Sequence, residues 1–153
     1  MNEKFMKIAL QQAVKAAKIN EVPIGAVIVM NNKIISKGYN KRECKKNALL
    51  HAEIIAIEKA CKKLKSWRLS DCELYVTLEP CPMCMGAIIN SRISKVVFGA
   101  YDKKAGSCGS VVNLNDYPYN HHPEIIGSVL EKECSSILSD FFSTLRKKKT
   151  KKK

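Results

Sequence analysis

Apolar and polar positions recur along the chain in two periods, and the change from one to the other marks out its elements. Over residues 3–18, Phe5, Ala9, Ala13 and Ala16 fall on one helical face with lysines mostly opposite, which predicts an amphipathic helix. The β-branched run at 24–30, a turn at Asn31-Asn32 and a returning segment at 33–39 predict a hairpin. Residues 41–50 read as a basic, irregular loop. A helical period resumes over 51–64, with Ile54, Ile57 (or Glu58) and Cys61 expected inward.

Further along, 73–78 is rich in β-formers and predicts a strand. A turn at Glu79-Pro80 leads to a helix over 82–91, with proline at its opening, where it is tolerated. Strands are expected at 95–99 and 125–129, separated by a Gly/Ser-rich stretch at 106–110 and a loop over 113–124. The final helix, 130–145, places Leu130, Cys134, Ile137, Leu138, Phe141 and Leu145 on one face. Strands alternating with helices predict an α/β domain whose sheet is covered on both faces.

Composition narrows the class. At 153 residues the chain holds one domain, and 46% apolar with 27% charged residues excludes a collagen-like or wholly disordered polymer. Its longest apolar run, 26–30, is far too short to span a bilayer, and Glu3 and Lys7 interrupt the place where a signal peptide has its apolar core. The expectation is a cytoplasmic protein with no membrane association.

Charge adds a partner. The net charge is +13, and the segment 146–153 (RKKKTKKK) supplies seven of the basic residues; without it 20 basic residues face 14 acidic ones, a body of +6. A basic body with a strongly basic end favours a polyanion such as nucleic acid, although a charge run by itself is commonly a solvated tail. The chain thus divides into a domain at 1–145 and a basic tail at 146–153 expected to be disordered.

Seven cysteines in a chain without an export signal do not indicate disulfides. Cys44, Cys61, Cys72, Cys108 and Cys134 are scattered singly and read as small, partly buried hydrophobes. Cys81 and Cys84 form a C-x-x-C pair at a helix start, where residues three apart are neighbours and the helix N-terminus favours thiolates. With His51 they make three nitrogen and sulfur donors, the number a catalytic zinc site takes while keeping its fourth position for water. Glu53, two residues from His51, reaches such a water only because both open the helix, and it is placed as general base and then acid. A lone C-x-x-C is as often a redox pair or half of a structural zinc site, but a redox pair does not explain His-x-Glu and no second C-x-x-C completes four sulfurs. Iron or cobalt also suits donors of this softness.

The His51-Ala-Glu53 and Pro80-Cys-Pro-Met-Cys84 pair resembles the zinc-dependent nucleoside and nucleobase deaminases. Glu21-Val-Pro-Ile-Gly-Ala26, Thr77-Leu-Glu-Pro80, Ser91-Arg-Ile93, Val97-Phe-Gly-Ala100 and Leu138-Ser-Asp-Phe-Phe142 extend the resemblance, over most of the domain, to the bacterial tRNA-specific adenosine deaminases. That resemblance implies a cytidine deaminase-like fold: a three-layer α/β/α sandwich with a mixed five-stranded sheet, as a homodimer. It implies one zinc per subunit on His51, Cys81 and Cys84, with Glu53 moving protons while zinc-activated water converts adenosine to inosine at the first anticodon position of tRNA. Asn40 matches an asparagine that contacts the flipped nucleoside, Asp102 an acid near the anticodon-loop ribose, and His121 or His122 a histidine near RNA; Phe142 is expected either to stack near the RNA or to pack in the core. Ala48-Leu49-Leu50 and Tyr101 depart from the family pattern at the expected substrate mouth. A small-molecule deaminase acting on cytidine, deoxycytidylate or guanine shares the metal motif, and a structural zinc module that binds RNA is the non-enzymatic alternative.

Overall fold

The computed structural model describes residues 2–151. Its elements are α1 (Asn2–Lys18), β1 (Gly25–Met30), β2 (Lys33–Tyr39), α2 (Ala52–Leu64), β3 (Cys72–Leu78), α3 (Pro82–Asn90), β4 (Lys95–Ala100), a 3-10 turn (Leu114–Asp116), β5 (Glu124–Ile126) and α4 (Glu131–Lys151). The strands form one sheet in the order β2-β1-β3-β4-β5. β1 is antiparallel to β2 and to β3, whereas β3, β4 and β5 run parallel. The expected mixed five-stranded sandwich is therefore the observed one.

Strand alternation sorts the core into two sides. Ala26, Ile28, Leu74, Val76, Val96 and Phe98 face α2 and α3, where Ala52, Ala56, Ala60, Met85 and Ile88 meet them. The intervening Val27, Val29, Tyr75 and Val97 face α1 and the start of α4, meeting Phe5, Met6, Ala9 and Cys134. Successive strand side chains point to opposite faces, so one run of apolar residues serves both layers.

Alanine ridges let the helices lie close on the sheet. Ala52, Ala56 and Ala60, four residues apart, put no bulk between α2 and the hairpin. The Ser36 hydroxyl donates to the Ala56 carbonyl at 2.7 Å. At Gly38 an added Cβ would lie 2.5 Å from the Ala52 carbonyl oxygen and 2.9 Å from the Ala56 nitrogen, so only glycine admits this approach.

Four expectations are corrected. The inward face of α2 is Ala52, Ile55, Ala56, Ile57 and Ala60, so Ile57 is inward as expected, whereas Ile54 and Cys61 are half-buried and Glu58 is exposed; the three alanines face inward where the hairpin comes near. β5 ends at Ile126, because Ser128 and Leu130 take positive φ and turn the chain toward α4. Only Cys134 of the α4 stripe is fully buried, since it packs against β4 whereas Leu138 lines one cavity and Ile137, Phe141 and Leu145 line another. Lastly, α4 runs on through the basic segment to Lys151 where a disordered tail was expected; Lys and Arg are good helix formers, and cations suit a helix C-terminus. Residues 152–153 lie outside the described residues.

Gly38→Ala is expected to cost about 2–3 kcal/mol through overpacking of α2 on the hairpin. Urea unfolding should show a lower midpoint with an unchanged slope.

Candidate active site

Two helix N-termini meet at one point. His51 is the N-cap of α2 and Cys81 the N-cap of α3, both with extended backbone, so their side chains leave the helices instead of following the helical wheel. Cys84 follows in the first turn of α3, behind Pro82. His51 Nδ1 lies 3.6 Å from Cys81 Sγ and 3.5 Å from Cys84 Sγ, and all three donors are within 4.8 Å of one another.

These distances fit a tetrahedral metal. With a zinc–sulfur bond of about 2.3 Å and a zinc–nitrogen bond of about 2.1 Å, tetrahedral angles put sulfur and nitrogen roughly 3.6 Å apart. Among the described residues this is the one such cluster that could hold a metal ion.

The protons of the metal-free chain are held asymmetrically. The Cys84 S–H beside it, seconded by His51, holds the Cys81 thiol down to about 4. The same hydrogen bond to Cys81, with burial, pushes Cys84 far above the ordinary thiol range. His51 is raised by its bond to Cys81. One thiolate and one thiol thus share the site, and a metal held by both sulfurs displaces the Cys84 proton.

Glu53, in the first turn of α2, is buried against this cluster, 4% exposed. Burial pushes its carboxyl up to about 7. The extended backbone at His51 brings the glutamate to the same side as the sulfurs, as the expected opening of the helix requires.

Beside the cluster opens a cavity of about 620 Å³, which His51 reaches and which Cys81, Cys84 and Glu53 do not line. It is lined by His51 and by the expected Asn40, Asp102 and Phe142, together with Val22, Ile24, Leu78, Tyr101 and Leu138. Arg42, Lys103 and Lys104 make its rim basic. Asn40 is buried; its Nδ2 donates to the Val22 carbonyl at 3.3 Å and its Oδ1 accepts from the Arg42 N–H at 3.2 Å. Asp102 Oδ1 accepts from the Lys104 and Ala105 amides, which leaves Oδ2 without a backbone partner in the turn. Phe142 is 40% exposed at the mouth.

Phe141, expected in the core, instead faces a second groove between α1 and α4. His121 and His122 do not line the cavity: their ring nitrogens pair with the Ile93 and Asn115 carbonyls at 2.7 and 3.0 Å. Cys44 is exposed on the 41–46 loop, unlike the other scattered cysteines. Tyr101 is exposed at the mouth, its hydroxyl 2.8 Å from Ser128 Oγ.

Sequence reading missed two buried glutamates. Glu21, fully buried, accepts from the Glu43 and Cys44 amides at 2.9 and 3.0 Å and so ties down the loop that follows Asn40. Glu79, 2% exposed, sits on the other side of the cavity. The available signal was a lone acid next to apolar residues and a proline, in Glu21-Val-Pro and Leu-Glu79-Pro.

The class this fold and cluster belong to is that of the deaminases: the profile of the MafB19-like deaminases matches residues 1–146. The chain is 51% identical to the tRNA-specific adenosine deaminase of Bacillus subtilis, over 97% of this chain and 92% of that one. It is 49% identical to the enzyme of the same name from Aquifex aeolicus, over 94% and 95%. A solved structure from studies of A-to-I editing by tRNA:A34 deaminases superposes with a TM-score of 0.86 at 40% identity, covering 88% of this chain and 99% of that one. The chain belongs to the family of tRNA-specific adenosine deaminases.

Burial of Glu53 has a measurable sign. A carboxyl near 4.5 in the unfolded chain and near 7 in the metal-free fold binds more protons when folded, so its contribution is full at low pH and is lost as pH rises through that window. In chelator-treated protein, Glu53→Gln should remove a loss of stability between about pH 5 and pH 7.5 that the parent shows. Urea midpoints across that range check it; parallel pH profiles for the two proteins would contradict it.

Proposed function

We propose that this chain hydrolyses adenosine to inosine, with release of ammonia, at the first anticodon position of tRNA. The carrying observation is the placement of Glu53 with His51, Cys81 and Cys84 beside a cavity with a basic rim. The names of the relatives support the substrate, and the +13 charge suits an RNA.

His51, Cys81 and Cys84 hold one zinc per subunit. Zinc bound there lowers the pKa of water so that a nucleophile exists at neutral pH. Glu53 would take one proton from the attacking water and deliver it to N1 of the ring, and would then carry the second proton, from the hydroxyl now on C6, to the amino group, which departs as ammonia. The base has to leave the anticodon stack to reach the cavity, and an unpaired loop makes that cheap.

Around the cavity, Asn40 holds the nucleoside through an amide that both donates and accepts. The Oδ2 of Asp102 accepts from a ribose hydroxyl, and Phe142 stacks against an adjacent base. Arg42, Lys103 and Lys104 meet flanking phosphates. The enzyme works in the cytoplasm as a homodimer; among the described residues no helix is long and apolar enough to cross a membrane.

The deciding assay offers the zinc-loaded protein an anticodon stem-loop with adenosine at its first anticodon position, beside free adenosine, cytidine and guanine. Inosine formed in the stem-loop alone is expected; turnover of a free base or nucleoside with the stem-loop untouched would replace this substrate by a small molecule. Glu53→Gln should lower turnover by about 10²–10⁴-fold while one zinc per chain is retained. Wild-type turnover in that variant would remove Glu53 from the proton transfers, and stem-loop binding without any turnover by the parent would leave a structural zinc module.

Removing residues 146–153 takes seven cations from the chain. We expect weaker stem-loop binding at low salt and a shallower dependence of log K on log salt, by about 0.7 for each phosphate that the shortened chain no longer neutralises, with kcat unchanged. A salt titration of binding, run on both proteins, reads the two slopes.

A further inference from the structure

Glu79 closes β3 and stands two residues before Cys81. Its backbone N–H donates to the Ala100 carbonyl at 2.9 Å, which carries the β3–β4 pairing one step beyond the strands. Its side chain points into the loop that leaves β4. Oε1 accepts from the Asp102 amide at 3.1 Å and from the Ser110 hydroxyl; Oε2 accepts from the Cys108 amide at 3.0 Å and the Ser110 amide at 3.1 Å. Four donors from one loop thus converge on one carboxylate that is 2% exposed.

The loop is shaped to allow this. Ser107 N–H donates to the Pro80 carbonyl at 2.9 Å, and Gly106 N–H to the Asp102 carbonyl at 2.8 Å. Gly106 has no room for a side chain: an added Cβ would collide with the Glu79 carboxyl group and the Asp102 carbonyl oxygen. No cation pairs with Glu79 within ion-pair distance among the described residues, so its negative charge is held entirely by these donors. An apolar side chain would fill the space equally well but could not receive them.

We infer that Glu79 is a positioning residue that locks the 102–110 loop, and with it Asp102, to the turn carrying Cys81, so that the substrate rim and the metal centre form one rigid unit. This rests on the tRNA-deaminase reading for the role of Asp102. The physical logic is that a rim held in its bound conformation has less ordering left to do when substrate arrives. Glu79 touches neither substrate nor the reacting atoms and acts through Asp102.

Glutamine discriminates sharply between the two oxygens. If its carbonyl oxygen takes the Oε2 place, the Cys108 and Ser110 amides keep their acceptor; the NH2 then faces the Ser110 hydroxyl, which can turn and accept, and the Asp102 N–H, which cannot. Glu79→Gln therefore releases Asp102 first. An unsatisfied buried donor costs on the order of a tenfold change in an equilibrium, or somewhat more.

The test uses the full-length, zinc-loaded protein and the anticodon stem-loop. Glu79→Gln is expected to retain one zinc, raise KM about tenfold and change kcat by less than about threefold. Added to Asp102→Ala it should raise KM by less than about threefold further, because the two act as one unit. Gly106→Ala should reproduce the pattern. Hydrogen exchange should speed up at the amides of 102–110 and stay unchanged in α2 and α3.

Additive effects on KM, equal changes in kcat and KM, or a loop that stays protected would each overturn the inference. Should Glu79→Gln fail to fold, Ser110→Ala removes one donor and keeps the carboxylate; a KM rise of about two- to threefold that vanishes in Asp102→Ala is then expected, and an unchanged KM overturns it. If the parent protein leaves the stem-loop untouched, the tRNA reading falls, and hydrogen exchange alone decides whether Glu79 holds the loop.

Discussion

Everything at the site depends on two helices beginning at the same place. The N-termini of α2 and α3 carry unpaired backbone N–H groups and the positive ends of their dipoles, so bringing them together is favourable only around negative charge. Cys81 as a thiolate supplies it in the metal-free chain, and its thiol is held down to about 4 by the neighbouring Cys84 S–H and by His51. Both N-cap residues belong to the cluster that could hold a metal ion, and neither makes a side-chain capping bond.

Holding the helices there requires close packing of small residues. The Ala52, Ala56 and Ala60 ridge of α2 and the bare Gly38 of β2 bring the helix onto the hairpin, and α3 is set by the β3-α3-β4 unit. Burial of Glu53 follows from the same closeness. Water is excluded from its carboxyl, which raises its proton affinity in the metal-free chain. Stability and chemistry pull against each other at this residue, because its ionised form is the one the metal-free fold disfavours.

The rim is organised by a second device. Glu21 and Glu79, both buried in a strongly cationic protein, take backbone amides of the two loops that flank the cavity. Loops otherwise ordered only by their own turns become continuous with the sheet. Across the mouth, α4 divides its apolar residues three ways: Cys134 into the core, Leu138 and Phe142 to the cavity, Ile137 and Phe141 to a separate groove.

Helix and strand existence, and the residues that the fold gathers into one cluster beside Glu53, were legible in the chain itself, because periodicity and short-range spacing are local properties. His51-Ala-Glu53 and Cys81-Pro-Met-Cys84 carry their chemistry within a few residues each, and the family resemblance joined them. What the chain alone did not reveal depends on which surfaces meet. Periodicity alone identified the amphipathic helices but not the rotation of α2, since the nearness of Gly38 selects the alanines over Ile54 and Cys61. Likewise a stripe of apolar residues on α4 reads as core whether it meets the sheet, a substrate cavity or a groove. Only the tertiary structure assigns its parts, and only it shows Glu79, an inconspicuous acid in Leu-Glu-Pro, receiving four donors from a loop 23 to 31 residues further along the chain.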